Sequence, residues 1–479
     1  MTPEGALPKY LAVAETLQKL ILEGDIEPGA RLPSVRSAMR RFGVSKNTLI
    51  AAYAHLEMGG AISVKDRSGY YVARERDNES ARAPYIIDHP LSLVEQKGQD
   101  ILNDLATLRS RQGYDLLSPM LDPKLLPQGM VSRTARKILA EDLRACLTPD
   151  FGPGYRPLRR ALAGYYRARE ISADDRDFVT TLGCTHALVS AVEASTAPGD
   201  TIAIRTPTFY PLLRIIHSLN RKIIEIPSTA NRARDLERLE EAIERFNVRA
   251  CFVSVSLPDP YGASLSDVDK RHLLDLAERF DLAMIEDDVF GHVSVRNKMM
   301  RPLKAFDQTG RVLHCSSFSK TLGSGLRVGW CMPGRYAKAM QNVRSIVAPA
   351  MPVFEQALIA RLLESASFGR HVRELKLNVR QNIQTLQNAL GDGLLAGSHL
   401  TSKDGGLLAW VRLPAGTSAT AIYKAALERN VAVAPGGMYS LADRFDDHIR
   451  LFLGIETHNF RRALSILARP TGRLPSQLP

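Results

Sequence analysis

The spacing of apolar residues changes twice along the chain, and each change marks a different kind of structure. In PKYLAVAETLQKLILE, residues 8–23, Tyr10, Val13, Leu17, Leu20 and Ile21 recur at helical spacing until the Gly24-Asp25 and Pro28-Gly29 pairs break it. Ser34 stands as the cap of a short helix, SVRSAMRRF, that stops at Gly43, and Ser45 as the cap of a second, SKNTLIAAYAHLEMG, that stops at Gly59. AISV and GYYVA then read as short strands around Lys65-Asp66-Arg67-Ser68-Gly69. Two helices across a tight glycine turn, followed by a two-stranded wing, predict a winged helix-turn-helix over residues 1–73.

Residues 74–114 are polar and irregular and predict a linker with one surface helix in LVEQKGQDILNDLATLRS. From Asp115 the pattern alternates short apolar runs with amphipathic helices. DFVTTL, DTIAIR, KIIEIP, RACFVSV, LAMIEDD, RVLHCSS and RVGWCM are the strands, predicting an α/β domain at 115–349, its sheet mostly parallel with helices on both faces. A long helix through Arg370 to Leu390, then the strands GLLAWVRL, VAVAPG and HIRLFLG, predict a smaller α+β domain over 350–479.

Composition narrows the function classes. The 479 residues are 45% hydrophobic and 24% charged, enough apolar surface for several buried cores and too much for a disordered chain. Five cysteines, odd in number and without a CxxC pair, argue against a zinc knuckle or a disulfide framework and suit a reducing cytoplasm. No run of 18 apolar residues occurs, and MTPEGALPKY has neither the basic nor the hydrophobic part of a signal peptide, so a cytoplasmic protein is expected.

Lys and Arg number 63 against 51 Asp and Glu, a formal net charge of +12. Part of the excess is concentrated: Arg31, Arg36, Arg40, Arg41 and Lys46 fall in a stretch with no acid before Glu57, which favours phosphates and makes an operator DNA the expected partner. In a helix-turn-helix the second helix turns its N-terminus to base edges, here Ser45, Lys46, Asn47 and Thr48. Asn47 suits adenine, and Lys46 a phosphate or guanine.

The larger part carries chemistry at its strand ends, where open α/β sheets hold ligands. After DFVTTL, Gly183-Cys184-Thr185-His186-Ala187 opens a helix whose N-terminus suits a phosphate. After LAMIE come Asp287 and Asp288, acids suited to Mg²⁺ or to capping the next element. After RVLHC come Ser316, Ser317, Phe318, Ser319 and Lys320, then Thr321, Gly323, Gly325 and Arg327. Lys320 is a candidate for a lowered pKa and a Schiff base, and Arg327 for a phosphate dianion.

Two resemblances follow from these residues. LPSVRSAMRRFGVSKNTLIAAYAHLEMGGAISVKDRSGYYV, within residues 8–73, resembles the winged helix-turn-helix of GntR-type bacterial regulators. That implies Arg36, Lys46, Thr48, Arg67 and the wing-tip Gly69 against DNA, although Lys46-Asn47 replaces the Arg-Thr often found there. Gly183, Asp287, Lys320 and Arg327 occur in the order and spacing of fold type I pyridoxal-phosphate enzymes, the aspartate aminotransferase superfamily, over about 115–470; HCSSFSKTLGSGLRVGW is the most specific segment.

This second resemblance implies that Lys320 forms the Schiff base with pyridoxal 5'-phosphate and that Asp287 holds the ring nitrogen protonated. It places backbone at Cys184 and Thr185, with Ser317, Ser319 and Arg327, around the phosphate. It also implies Phe209 stacked on the ring and Arg450 clamping a carboxylate. Two positions depart from the pattern: Asp259-Pro260-Tyr261-Gly262 replaces Asn-Pro-x-Gly, and Phe290 replaces the tyrosine of EDDxY, which removes two usual hydrogen-bond donors to the 3-oxygen; Tyr261 is a candidate substitute. Together the two halves resemble MocR-type regulators. The implied function is a pyridoxal-phosphate-dependent transcription regulator sensing an amino acid, an amine or the cofactor, as a homodimer, with weak or absent turnover and no metal. An active aminotransferase of 2-aminoadipate type is the alternative, and a cofactor-free dimerisation scaffold a third.

Overall fold

The computed structural model describes residues 10, 13–14, 16–17, 20, 26, 30–33, 35–58, 62–65, 69–72, 85–86, 91–228, 232–262, 264–295, 300–391, 393–401, 405–441 and 444–468. Its chain forms two compact units, Met1–Ile86 with Glu225–Pro227, and Ile87–Ile224 with Ser228–Pro479.

In the smaller unit, helix α1 (Val35–Phe42) ends at Gly43, whose φ of +63° reverses the chain in the left-handed region where glycine has no Cβ penalty. Helix α2 (Lys46–Met58) begins at Ser45, whose Oγ accepts from the Thr48 amide at 3.2 Å. Leu49, Ala52, Tyr53 and Leu56 of α2 pack with Val13, Leu17, Leu32 and Ala38 in one buried cluster. Strands β1 (Ile62–Lys65) and β2 (Gly69–Val72) pair antiparallel with Lys65 opposite Gly69, and the Leu32 and Val72 amides donate to the Tyr70 and Ala30 carbonyls, both at 2.8 Å. The expected winged helix-turn-helix is therefore present. Ile21, Ser34, Gly59 and Arg67, together with the side chains of Arg36 and Asn47, lie outside the described residues.

The larger unit contains β3 (Val179–Thr181), β4 (Thr201–Thr206), the first half of β5 (Lys222–Pro227), β6 (Val248–Val253), β7 (Ala283–Asp287), β8 (Val312–Ser317) and β9 (Gly329–Met332), in the spatial order β5-β4-β6-β7-β8-β9-β3. The pairs β4/β6, β6/β7 and β7/β8 are parallel, and β9 runs antiparallel to both β8 and β3. One core contains Leu188, Ile204, Ile216, Ile285 and Leu313, and another Leu158, Tyr166, Phe178, Trp330 and Leu358. A sheet covered on both faces needs apolar residues at successive positions, which is why these strands read as continuous runs.

Towards the C-terminus, β10 (His399–Leu400), β11 (Leu408–Arg412), β12 (Ala434–Pro435) and β13 (His448–Phe452) form an antiparallel sheet in the order β10-β11-β13-β12. Two expected boundaries move. Helix α3 (Leu91–Ser110), assigned to a linker ending at 114, buries Leu105 and Leu108 in the C-terminal core, as do Leu116, Leu117 and Leu121 beyond it, and Tyr114–Asp115 pairs with Val431–Ala432. Leu105 and Leu108 lie one helical turn apart and form an apolar stripe that needs a partner face. Likewise the helix Val353–Leu363, placed with the small domain, buries Leu358, Ile359 and Leu362 in the core containing Trp330. All five cysteines are free thiols.

Candidate functional site

The carboxyl ends of β7 and β8 and the start of helix α4 (Cys184–Ser195) converge on a cavity of about 530 Å³, counted to its open mouth. Cys184, Thr185, Phe209, Asp287, Phe290, Ser317, Ser319, Lys320 and Arg327 line it, so eight of the residues singled out in the sequence for cofactor binding meet in one place, and Phe290 with them. A second cavity of about 380 Å³ shares Phe209, Asp287 and Phe290 and adds Arg205, Asp259 and Tyr261.

Backbone geometry fixes one end. Gly183 precedes α4 with a φ of +82° and no side-chain cap, and Arg327, itself left-handed at +50°, donates from Nη2 to the Leu182 carbonyl at 3.0 Å. A Cβ on Gly183 would lie 2.7 Å from Arg327 Nη2, so only glycine lets the guanidinium approach the helix N-terminus. Ser317 Oγ and Ser319 Oγ, 3.0 Å apart, complete a ring of donors. Uncapped amides, two hydroxyls and an arginine suit a phosphate dianion.

The centre is buried and polar. Burial pushes the Asp287 carboxyl up to about 6, against the Val289 amide that donates to its Oδ1 at 3.1 Å. A carboxyl raised by burial gains from a protonated ring nitrogen placed against it. Burial also pulls Lys320 down to about 8, while Asp259 and Asp287 act in the opposite direction. Its Nζ donates to the Pro119 carbonyl at 2.5 Å and lies 5.5 Å from the centre of the Phe290 ring. A lysine so lowered holds far more of the unprotonated form near neutral pH than an ordinary lysine does, and that is the form that attacks an aldehyde. These groups fit pyridoxal phosphate: the donor ring for its phosphate, Asp287 for its nitrogen, Phe209 for its ring and Lys320 for its aldehyde.

Asp288 belongs elsewhere. Strand alternation turns it from the cavity to Arg169, whose Nη1 lies 3.1 Å from Oδ2 with both side chains almost fully buried. Around this pair, Tyr166 Oη contacts His314 Nε2 at 2.8 Å and His314 Nδ1 contacts Glu286 at 2.7 Å. The two acids thus turn to different partners, and no group of three or more potential metal ligands occurs among the described residues.

At the other end, Arg450 projects from β13. Its Nε donates to Tyr439 Oη at 2.8 Å and its Nη1 to the Leu117 carbonyl at 2.6 Å, while Nε also lies 3.4 Å from Asp259 Oδ1. Burial, outweighing Arg450 and Lys320, keeps Asp259 above the usual carboxylate range, and neither of its oxygens accepts a well-formed hydrogen bond. Tyr439 and the Pro119 carbonyl are partners that sequence reasoning missed; they meet Arg450 and Lys320 only through tertiary packing, and no motif marks them. In the small unit Arg31, Arg40, Arg41, Ser45 and Lys46 are exposed, Thr48 is half-buried at the start of α2, and Gly69 opens β2.

Comparison with known proteins agrees with this geometry. Residues 137–467 match the family aminotransferase class I and II, and residues 9–72 match bacterial regulatory proteins of the gntR family. An HTH-type transcriptional regulator of Escherichia coli K12, YdcR, is 30% identical over 93% of this chain and 94% of its own. Among solved structures, Pyrococcus horikoshii kynurenine aminotransferase, in complex with PMP, superposes with a TM-score of 0.71 at 23% identity over 77% of this chain and 93% of its own. LysN, the alpha-aminoadipate aminotransferase of Thermus thermophilus, does so at 0.69 and 22% over 76% and 93%. No described helix is long and apolar enough to cross a membrane.

Proposed function

Because the chain belongs to the aminotransferase class I and II family and carries a gntR-family segment at its N-terminus, we propose that it is a pyridoxal-phosphate-dependent, DNA-binding transcription regulator of MocR type. Its large unit then senses an amino acid, an amine or the cofactor itself. One observation carries the reading: a cavity equipped around Lys320 shares a chain with an exposed basic helix-turn-helix that has no acid from Arg31 to Leu56. The regulators among its relatives, such as YdcR, match it over both parts.

When bound, pyridoxal phosphate supplies an aldehyde for amines and a ring that accepts electrons. The chain's own residues do the rest. Arg327, Ser317, Ser319 and the α4 amides would hold the phosphate, Asp287 would keep a proton on the ring nitrogen, and Phe209 would supply an aromatic face for the ring. Lys320 gives the amine. Phe290 has no hydrogen to donate, and Asp259 when ionised only accepts, so of the residues at these positions Tyr261, on the same cavity wall, is the one with a hydroxyl to give. We assign the chain to the cytoplasm, as a homodimer. The exposed apolar residues Leu143, Leu147, Ile346 and Val347, near the paired segments Asp150–Phe151 and Ala350–Met351, and Phe151 within the first of them, support a second copy as partner.

The test is binding of the full chain to the DNA upstream of its own gene. Lys46→Ala should weaken specific and non-specific binding together and reduce the salt slope by about one unit; Asn47→Ala should relax sequence preference by roughly 1–3 kcal/mol. Retention of full operator binding by a chain truncated to residues 87–479 would defeat the assignment.

A further inference from the structure

The Asp259–Arg450 contact bears on what the cavity selects. Each side chain keeps only 3% of its surface exposed, and they lie 3.4 Å apart, so the guanidinium at this end already faces a carboxylate supplied by the chain. Two of its three nitrogens are committed to Tyr439 and the Leu117 carbonyl. A side-on bidentate clamp on an incoming carboxylate needs the Nε–H together with a neighbouring Nη2–H, and the Nε–H is already given to Tyr439. A second anion brought here would also face Asp259 in a low-dielectric environment, the like-charge arrangement that buried sites disfavour. Phe290, on the wall shared by both cavities, adds an apolar ring face and no donor; Lys320 Nζ already lies 5.5 Å from it, a distance at which a cation is favoured.

We propose that the ligand site selects primary amines lacking an α-carboxylate over the matching amino acids, with Asp259 as the specificity determinant that occupies Arg450 in place of a ligand carboxylate. This rests on the reading of the large unit as a small-molecule sensor and narrows its ligand to one chemical class. Of the groups at this end, Asp259 is the one whose replacement by an isosteric amide removes the negative charge while keeping the shape.

The experiment is calorimetric titration of the full chain loaded with pyridoxal phosphate, using matched probes: isoamylamine and leucine, phenethylamine and phenylalanine, cadaverine and lysine. In any pair that binds, the wild type should prefer the amine by at least tenfold in Kd. Asp259→Asn should bind the amino acid at least tenfold more tightly than the wild type does, narrowing or reversing that preference. An amino acid bound as tightly as its amine by the wild type overturns the proposal and leaves the sensor reading standing. An unchanged ratio in Asp259→Asn, as a protonated Asp259 would give, also overturns it. Should that variant fail to retain cofactor absorbance, the wild-type ratios decide alone. Absence of heat from every probe removes the sensor reading, and the proposal with it.

Discussion

The two ends of the cavity are built on different terms. At the phosphate end, Gly183, Ser317, Ser319 and Arg327 are held by backbone: a glycine that alone admits the guanidinium, a helix N-terminus without a side-chain cap, and hydroxyls at a strand end. At the ring end, Asp259, Phe290, Tyr439 and Arg450 form a side-chain cluster whose charges answer each other, and one wall is a phenyl ring. A cofactor anchor depends on the first set, and proton handling on the second. Their difference teaches that binding and turnover are separable on one scaffold: the chain keeps the groups that hold the cofactor and alters those that tune it.

Breaking the anchor at its reactive group should have the largest effect. Lys320→Ala should abolish the visible absorbance of covalently attached cofactor, and borohydride reduction followed by peptide mapping should find the pyridoxyl group on Lys320 in the wild type and nowhere in the variant. Next comes Asp287, between the two ends. Its folded pKa of about 6 lies above the usual carboxylate value of about 3.9, so between these values the folded state binds more protons than the unfolded, and stability falls as pH rises through that window. Cofactor-free Asp287→Asn lacks this loss. Relative to wild type it should gain on the order of 3 kcal/mol between about pH 4 and pH 6, read from denaturant midpoints at each pH.

Arg327→Ala sharpens the comparison from the phosphate side. Loss of charged hydrogen bonds of about 1.5–3 kcal/mol should weaken cofactor binding by roughly 10- to 100-fold, measured by titration of the cofactor-free protein. The smallest effect belongs to the ring end. Phe290→Tyr should change cofactor affinity by less than about 1 kcal/mol, since it adds a hydroxyl without removing an anchor, while shifting the pH at which the bound cofactor changes colour downward. Equal losses of affinity from Arg327→Ala and Phe290→Tyr would erase the distinction between the two ends.

Much of this was legible in the sequence because local rules impose it. Ser45, Gly43 and Gly183 act through a cap and left-handed turns, and apolar runs such as RVLHCSS announce strands buried on both faces. Seven of the eight cofactor residues follow strand ends, which carry the ligands of an open sheet, while their roles, and Phe209 altogether, came from the resemblance to fold type I enzymes. What stayed hidden depends on tertiary contact. The role of α3 turned on whether Leu105 and Leu108 found a core, and spacing shows a stripe but not its partner. The resemblance alone told Asp287 from Asp288, and the partner of Asp288 stayed hidden until alternation across the strand placed it against Arg169, 119 residues away in the chain. The Arg450–Asp259 pair joins β13 to a loop after β6, and Tyr439 joins it from a third segment; no periodicity relates them.

The account's central claim, a site that binds and responds without sustained turnover, is tested most directly by one kinetic measurement. The loaded full-length protein is mixed with the amine and amino-acid probes together with 2-oxoglutarate, and glutamate release is timed while the absorbance of the bound cofactor is followed. The account predicts a ligand-dependent absorbance change with glutamate release far below the ~1 to 10³ per second typical of enzymes. Sustained glutamate release within that range would contradict it.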